Sequence, residues 1–236
     1  CTNLAELTQG VELIISVCPP HAATEVAQDV AATGYQGQYL DANAIAPSKL
    51  AAIDALLSGH SIHLIDGSLI GGPVWPSEAA NGQTTLHLSG AGSDAIAALL
   101  TGSPLKTAVL SKQPGDASAL KMVFAAFSKG SAALTAEILN VAEQYGVREQ
   151  LNEAIGQQTA GQWQRTLAGT ASKAWRFEGE MQEIAETFEA VGAEPGFHQA
   201  AAAVYQKLSA HKDWTTKPEL SSLLASLAKA KSHAPD

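Results

Sequence analysis

Strand-forming and helix-forming patterns occupy separate halves of this 236-residue chain. Before Pro114, short β-rich runs alternate with helical patterns, and after it the strand signals stop. Alternation of this kind predicts a mainly parallel sheet flanked by helices. We therefore predict an α/β domain over residues 1–114, followed by an all-α domain over residues 115–236.

The first half contains short apolar runs that are typical of strands, with turn residues or helical patterns between them. The predicted strands span residues 11–17, 39–41, 62–66, 84–89 and 107–110. The predicted helices of this half span residues 21–32, 48–57 and 95–100. The first strand is a near-continuous hydrophobic run ended by Pro19 and Pro20, which indicates a strand buried on both faces.

The second half opens with the longest helical pattern of the chain, from Asp116 to about Tyr145. Asp116 is a suitable N-cap, and Gly146 is a C-terminal signal. At about 1.5 Å per residue the helix is about 45 Å long, more than the width of a small domain. Because such a helix usually docks against a partner, we expect a homodimer formed through the helical domain. Further helices are predicted over residues 148–155, 171–191, 195–210 and 218–230.

The composition excludes several classes of protein and partner. With 46% apolar and 16% charged residues, the chain is not disordered. Acidic residues outnumber basic ones 23 to 14, so nucleic acid and anionic membranes are not expected partners. The longest purely apolar stretches fall well short of the roughly 20 residues that cross a bilayer, so we predict no membrane span. The two cysteines form no disulfide framework, which favours a reducing, cytoplasmic location.

Lys121 is the strongest candidate for a functional residue, because this cation lies in an otherwise small or apolar helical run. At helical spacing it shares a face with Ala117, Phe124, Ala125 and Ser128. Two interpretations stay open. Either the stem of the lysine snorkels along apolar surface, or its ammonium lines a cleft, where desolvation would let the amine act as acid or base near neutral pH.

Three polar or Gly-rich segments end or follow predicted strands. They are residues 16–20 (SVCPP), 41–47 (DANAIAP) and 66–73 (DGSLIGGP). Each segment alone is most simply a turn, but the carboxyl ends of strands line the ligand crevice in open α/β sheets. Together with Lys121, the three segments favour a ligand site at this edge of the sheet.

Other motifs are weaker. Residues 90–95 (GAGSDA) fit a dinucleotide fingerprint, but Asp94 would place a carboxylate where a pyrophosphate needs positive potential, so we predict a tight turn with helix capping. His60 and His63 have ligand-like spacing but would lie on opposite faces of a strand, and we predict no metal site. Cys18 is better explained as a packed thiol than as a nucleophile.

Two residues of the helical half remain open to interpretation. Arg176, beside Trp175, would present a guanidinium to a substrate carboxylate or phosphate, or else would pair with Glu180 four residues later. His198 is expected at the start of a helix.

Taken in order, the strand-end segments and Lys121 resemble the motifs of the β-hydroxyacid dehydrogenase superfamily, which includes 3-hydroxyisobutyrate and 6-phosphogluconate dehydrogenases. Residues 18–20 are similar to the family's loop beside the nicotinamide, and residues 41–47 to its D-x-S-T-x-x-P. Residues 66–72 resemble D-A-P-V-S-G-G, and residues 115–121 resemble G-x-G-x-x-x-K. Residues 119–122 and 173–176 are most similar to a phosphogluconate-dehydrogenase-like branch with its own C-terminal helical domain.

The resemblance implies a partial Rossmann-type domain and an oxidoreductase that uses NAD or NADP. Lys121 would carry a proton to or from the substrate oxygen of a hydroxyacid-like or imine-like small molecule. The implied cofactor contacts are Val17, Cys18, Pro19 and Asn43. The implied substrate contacts are Asn43, Gly71, Gly72, Phe124, Ser128 and Arg176.

Several family residues are replaced in this chain. Ile70 stands for the serine of S-G-G, and Ala125 stands for the asparagine four residues after the lysine. Phe124 and Ser128 occupy the positions of the histidine and glutamate of 6-phosphogluconate dehydrogenases. We therefore expect a more apolar pocket and a bulkier, less hydroxylated substrate than 6-phosphogluconate.

The chain starts after the position of the family's first βαβ unit, which carries the Gly-rich cofactor turn. We expect it to be a fragment, since it opens at Cys1 without an initiator Met. The alternative function, from a different class, is a non-catalytic dimerisation or binding module that keeps the fold but not turnover.

Overall fold

The computed structural model describes residues 2–72, 84–212 and 218–228. Contacts divide the chain into two compact units, the first formed by Cys1–Phe124 with Glu186–Gly192 and the second by Ala125–Ala185 with Ala193–Asp236. All strands that the structure describes lie in the first unit. The predicted order of an α/β region followed by an all-α region is therefore confirmed.

The first unit contains one five-stranded sheet with the order β1-β2-β3-β4-β5. The strands are β1 (Leu13–Ser16), β2 (Gln38–Asp41), β3 (His63–Ile70), β4 (Thr85–Ser89) and β5 (Lys106–Ser111). Strands β1, β2 and β3 run parallel, β4 is antiparallel to β3, and β5 is parallel to β4. The helices of this unit are α1 (Leu4–Thr8), α2 (Ala23–Ala32), α3 (Pro47–Ser58) and α4 (Ser93–Leu99), with a 3-10 turn at Pro20–Ala22.

Strand β3 is longer than its apolar run predicts. Gly67–Ile70, expected to follow the strand, lie within it because they pair with Leu88–Thr85 of β4. The antiparallel partner supplies hydrogen bonds to backbone groups that a loop would have exposed to water. Residue 73, which closed the predicted strand-end segment, lies outside the described residues.

The two faces of the sheet pack against different helices, because successive side chains of a strand point to opposite faces. Ile14, Tyr39 and Leu64 belong to a buried cluster with α2 and α3. Leu40, Ile65, Leu86 and Leu88 belong to a second cluster with Ile96 of α4.

A polar row crosses four strands of the first face. The register pairs Ser16 with Asp41, Asp41 with Asp66, and Asp66 with Ser89, and all four side chains are buried. Buried polar groups are costly unless they are hydrogen-bonded. The four side chains of this row therefore need hydrogen-bond partners inside the protein.

The long helix α5 spans Asp116–Gln144, close to its predicted bounds. Of the described helices, it alone is long and apolar enough to cross a membrane, as judged by length and composition. Within its apolar 18-residue stretch, 39% is buried inside the protein. The core helix of a folded domain meets the same criterion.

The remaining helices are α6 (Arg148–Ile155), α7 (Gln157–Ala171), α8 (Ala174–Ala190), α9 (Gly196–Leu208) and α10 (Leu220–Ala228), with a 3-10 turn at Ser209–His211. Helix α10 packs against α7 and α9. Residues 229–230, which the predicted last helix included, lie outside the described residues.

Helix α7 was not expected from the sequence. Its glycines and threonines lower the helical propensity, and only Ala160, Leu167 and Ala171 of its residues are buried. The apolar stripe that would have revealed it is therefore narrow and made mostly of small side chains.

A buried ion pair lies within the second unit. Lys129 of α5 pairs with Glu180 of α8, and the Lys129 ammonium lies 4.8 Å from the centroid of the Phe177 ring. The Tyr205 hydroxyl of α9 donates to the Lys129 carbonyl oxygen at 2.7 Å. These contacts join three helices at one point of α5.

Candidate active site

The Asp66 carboxylate in β3 anchors the first turn of α5. Its Oδ2 accepts hydrogen bonds from the Ser89 hydroxyl at 2.8 Å, the Gly115 N–H at 2.9 Å and the Ser118 N–H at 3.0 Å. Its Oδ1 accepts from the Ser118 hydroxyl at 2.7 Å. Four donors thus satisfy a fully buried carboxylate, and two of them are backbone groups that the start of a helix leaves without helical partners.

Lys121 lies one helical turn after Ser118 and points to the same strand. Its Nζ donates to the carbonyl oxygen of Leu69, near the carboxyl end of β3. The side chain is half-buried, with Ala117 and Ala125 buried on its helical face and Phe124 exposed. This hydrogen bond holds the ammonium near the end of β3, and the choice between a snorkelling stem and an ammonium that lines a cleft stays a prediction.

Gly71 and Gly72 follow β3 two and three residues beyond the acceptor of Lys121. Both are exposed, and Gly71 has a φ of 137°, in the region that favours glycine. The hydroxyl of Thr84 donates to the carbonyl oxygen of Gly72. Gly71 and Gly72 therefore present exposed backbone just after Leu69, whose carbonyl oxygen accepts from the Lys121 ammonium.

Asn43 connects the ends of β1 and β2. Its amide group donates to the Ser16 hydroxyl and to Asp41 Oδ2, both at 3.0 Å, and its Oδ1 accepts from the Cys18 N–H at 2.6 Å. Only 2% of the residue is exposed. Both amide hydrogens of Asn43 are therefore used inside the protein, where they fix the loop that carries Cys18.

The accessible part of this strand end is the Val17–Pro19 segment. Val17 is exposed, while Cys18 and Pro19 are half-buried. Burial raises the pKa of the Cys18 thiol, and the Ser16 hydroxyl 3.8 Å away offsets this only in part. A raised pKa disfavours the thiolate, in agreement with the packed-thiol interpretation.

The Asp41 carboxyl group of the polar row has a raised pKa. Burial raises its pKa to about 6, the hydrogen bonds from Asn43 oppose this, and the nearby Asp66 adds to it. Burial also raises the pKa of the neighbouring Tyr39 to about 12. The end of β2 is therefore a poorly solvated site that disfavours negative charge.

Two predicted substrate contacts, Ser128 and Arg176, lie in the second unit and are exposed. Arg176 does not form the predicted pair with Glu180, because Glu180 accepts from Lys129 instead. Its neighbour Trp175 has the Lys212 ammonium 4.5 Å from its ring centroid. The substrate role of both residues stays a prediction.

The glycine motif at residues 90–92 forms a tight turn, as predicted. Gly90 and Gly92 have φ values of 99° and 90°, and the Ser93 hydroxyl donates to the Gly90 carbonyl oxygen at 2.8 Å. Asp94 pairs with Lys112. His198 lies in the first turns of α9 and is buried. Among the residues that the structure describes, no group of three His, Cys, Asp or Glu side chains could hold a metal ion.

The sequence did not single out Ser89 or Ser118, and it included Ser16 only as the first residue of the strand-end segment 16–20. These serines hold the polar row together, and their partners in it are 23 to 52 residues away in the chain, so no local spacing links them. The one sequence signal for this arrangement was the position of Ser118, three residues before Lys121 and so one helical turn away.

Comparison with other proteins relates this arrangement to known folds. Residues 142–208 match the family described as Domain of unknown function (DUF1932). No curated protein matches the chain in sequence.

Several solved structures share the fold across nearly the whole chain. A conserved hypothetical protein from Sinorhizobium meliloti 1021 superposes with a TM-score of 0.65 at 20% identity, covering 96% of this chain and 77% of that one. Mycobacterium tuberculosis 3-hydroxyisobutyrate dehydrogenase, solved with L-serine, gives 0.64 at 18% identity, covering 97% and 84%. An imine reductase from Myxococcus stipitatus in complex with NADP⁺ gives 0.51 at 15% identity, also covering 97% and 84%. The chain therefore shares the fold of these solved structures, which include a 3-hydroxyisobutyrate dehydrogenase and an imine reductase.

Proposed function

We propose that the chain belongs to an NAD(P)-dependent oxidoreductase that transfers hydride between a nicotinamide and a hydroxyacid-like or imine-like small molecule. The observation that carries this proposal is the contact between the Lys121 ammonium and the Leu69 carbonyl oxygen. It holds a cation beside the strand that leads into Gly71 and Gly72, while Asp66 anchors the helix one turn earlier.

The ends of β1 and β2 suit the nicotinamide end of the cofactor. Val17 is exposed there, and the Asn43 hydrogen bond to the Cys18 N–H fixes the loop. Gly90–Gly92 is a poor site for the pyrophosphate of the cofactor, because it leads into a helix whose first turn carries the negatively charged Asp94.

When bound, the cofactor would accept or supply the hydride, and the protein would supply orientation and the proton. In the oxidative direction, Lys121 would take the proton of the substrate hydroxyl while hydride leaves the adjoining carbon, giving a carbonyl group. In the reductive direction, Lys121 would return a proton to the oxygen, or to the nitrogen of an imine. The backbone amides of Gly71 and Gly72 would bind a substrate carboxylate.

The residues after the lysine favour an apolar substrate. Phe124 is exposed one turn beyond Lys121, and Ala125, where the family has an asparagine, is buried and offers no hydrogen bond. Ser128 and Arg176, which lie in the second unit, stay predicted substrate contacts from the resemblance alone. Turnover of 6-phosphogluconate far exceeding that of apolar hydroxyacids or imines would contradict this choice of substrate.

The experiment is Lys121→Met in the natural full-length protein, assayed with hydroxyacids and imines and with both NADP and NAD. We expect turnover to fall by at least 100-fold, since proton transfer typically contributes about 10²–10⁴-fold. The matched control is Lys106→Met, an exposed lysine at the start of β5. Unchanged turnover in Lys121→Met would remove the assignment.

The alternative is a non-catalytic dimerisation or binding module. It is favoured by the poor fit of Gly90–Gly92 to a pyrophosphate. Fluorescence titration of the full-length protein with NADPH and NADH separates the two functions. Binding of neither dinucleotide, with no Gly-rich turn encoded upstream of Cys1, would support the module.

A further inference from the structure

Two buried polar side chains lie opposite each other on β3 and β4. Ser68 and His87 are partners in the register of the two strands, so their side chains lie on the same face of the sheet. The Cβ atoms of such partners are about 4.5–5.5 Å apart. The Ser68 hydroxyl and His87 Nδ1 are both buried, and neither has a hydrogen-bond partner among the described residues. Because buried polar atoms are nearly always hydrogen-bonded, this pair needs a physical explanation.

The pair lies beside the hydrogen bonds that hold the start of α5. Asp66 and Ser89 are the neighbouring opposed residues on the same face, and both accept hydrogen bonds from backbone N–H groups in the first turn of α5. One turn later, Lys121 donates to the carbonyl oxygen of Leu69, which directly follows Ser68. The first two turns of α5 therefore run along the face of the sheet that carries the two buried polar side chains.

The hydroxyl of Ser68 is a feature of this chain. Residues 66–72 resemble the motif D-A-P-V-S-G-G, whose third position is a proline without a hydroxyl, and Ser68 stands at that position. A buried polar atom without a partner lowers stability, and an apolar side chain would avoid this loss. A function is one reason for polar side chains to stay at two such positions, because local rules of stability are most often broken at functional sites.

We propose that Ser68 and His87 form a proton relay that connects Lys121 with solvent. The relay rests on the proposed oxidoreductase function, in which one proton passes through Lys121 in every turnover. Lys121 is half-buried and its ammonium is held at the Leu69 carbonyl oxygen, so a bound substrate and cofactor would restrict its own path to water. Ser68 is fully buried next to this contact, whereas His87 is partly exposed and so reaches from the buried Nδ1 towards the surface.

The transfers of the relay balance in both directions. In oxidation, the Lys121 amine takes the proton of the substrate hydroxyl and becomes an ammonium. The ammonium then passes one proton to the Ser68 oxygen, while the Ser68 hydroxyl proton moves through one water molecule to His87 Nδ1. The imidazolium releases its Nε2 proton to solvent, and exchange with water restores the first tautomer when the ring turns Nδ1 outwards. In reduction the same transfers run in reverse and supply the proton.

The charge state of His87 suits this role. Burial lowers the pKa of His87, so the imidazole is neutral at pH 7 and, with its proton on Nε2, presents Nδ1 as an acceptor. The charged side chains on the elements around it are Asp66 of β3, Lys106 of β5, and Asp116 and Lys121 of α5. Lys106 and Asp116 are exposed, and four hydrogen-bond donors satisfy Asp66. Lys121 is therefore the charge whose removal should change the titration of His87 most.

The first experiment measures turnover of hydroxyacids and imines by His87→Leu and Ser68→Ala in the natural full-length protein. At low buffer concentration we expect kcat to fall about 10-fold or more in each variant, with KM unchanged, because proton exchange with solvent becomes limiting. Imidazole buffer at about 100 mM should restore most of the rate of His87→Leu, because it carries the proton in place of the side chain. The matched control is His63→Leu, at an exposed histidine at the start of β3, which should keep the parent kcat.

Stability distinguishes a relay from a structural role. Ser68→Ala and His87→Leu each remove a buried polar atom that has no partner among the described residues. The midpoint of urea unfolding should therefore stay the same or rise while kcat falls. A midpoint that falls together with kcat, with no recovery of the rate in imidazole, would show that the two side chains act on the structure alone and would overturn the relay.

An NMR titration of the His87 ring tests the relay without turnover. The signal is assigned by its loss in His87→Leu, and the full-length protein is titrated with and without Lys121→Met. We expect Lys121→Met to raise the pKa of His87 by about 0.5, because a nearby cation disfavours the imidazolium. The matched control is Lys112→Met, at an exposed lysine that pairs with Asp94, which should leave the pKa of His87 unchanged.

The two measurements separate failure of the relay from failure of the proposed function. A His87 pKa that does not respond to Lys121→Met would overturn the relay, and so would an unchanged kcat in His87→Leu when the parent protein turns over its substrate. A parent protein that turns over no hydroxyacid or imine, but whose His87 responds to Lys121→Met, would count against the proposed function and support the coupling of the two side chains.

Discussion

Ser118 is bonded twice to Asp66, through its backbone N–H at 3.0 Å and through its hydroxyl at 2.7 Å. The two residues are 52 positions apart in the chain and both are buried. Through this pair, the middle of β3 fixes the first turn of α5 in position and in rotation. Because Lys121 lies one turn further along the same helix, the pair also determines where the lysine side chain starts.

Ser118→Ala should therefore lower the stability of the first unit. Removal of the hydroxyl deletes one hydrogen bond to a buried carboxylate, and bonds to charged groups contribute about 1.5–3 kcal/mol. We expect the free energy of unfolding in urea to fall by about 2 kcal/mol. Ser58→Ala, at an exposed serine near the end of α3, is the control and should change it by less than about 0.5 kcal/mol. Equal effects of the two substitutions would show that the Asp66 bond contributes nothing measurable.

Gly71→Ala tests the turn proposed to bind the substrate carboxylate. The φ of 137° at Gly71 is unfavourable for a side chain, so alanine should distort the turn at a cost of about 1–3 kcal/mol. For the proposed activity of the full-length protein, we expect KM for a carboxylate substrate to rise at least 10-fold. Gly72→Ala is the matched control, since a Cβ there would meet no described atom within 4 Å and Gly72 does not have a positive φ. A KM that is unchanged in Gly71→Ala would argue against carboxylate binding at this turn.

The sequence predicted the order of the elements because each depends on local periodicity. The bounds of α5 and α6 follow from unbroken helical patterns, and β1 and β2 from short apolar runs. The extension of β3 to Ile70 could not be predicted, because it depends on antiparallel pairing with β4. Helix α7 lacked a wide apolar stripe and was missed for that reason.

The candidate site was predictable only in part. Lys121 was conspicuous as a cation in an apolar run, and the strand-end segments were recognisable from turn residues. The hydrogen bonds that organise them join residues far apart in the chain, such as Asn43 with Ser16 and Ser118 with Asp66. Asn43 was expected to contact ligands, whereas its side-chain amide hydrogens are both committed to Ser16 and Asp41. Such roles depend on which side chains folding brings together.

Asp41 should make the stability of the first unit fall as the pH rises from about 4 to about 6. Its pKa is raised from an ordinary 3.8 to about 6, so between these values the folded chain binds more protons than the unfolded chain. Stability falls as the pH rises wherever the folded state binds more protons than the unfolded state. The difference between the two pKa values of Asp41 corresponds to about 3 kcal/mol of stability. This loss of stability is absent below the pKa that Asp41 has in the unfolded chain, and it is complete above the pKa that Asp41 has in the folded chain.

Asp41→Asn isolates this contribution, since the amide is similar in shape to the carboxyl group and does not titrate. We expect the free energy of unfolding of the variant, relative to that of the parent, to increase by about 3 kcal/mol between pH 4 and pH 7, because only the parent loses this stability. Urea titrations at half-unit pH steps would measure the difference, and the other titrating groups cancel in the comparison. The amide of the variant has one acceptor fewer for Asn43, so at low pH the variant is less stable than the parent. The test is therefore how the difference between the two free energies of unfolding changes with pH, and not its value at one pH. A difference that does not change with pH would mean that the buried Asp41 carboxyl group titrates near its ordinary value.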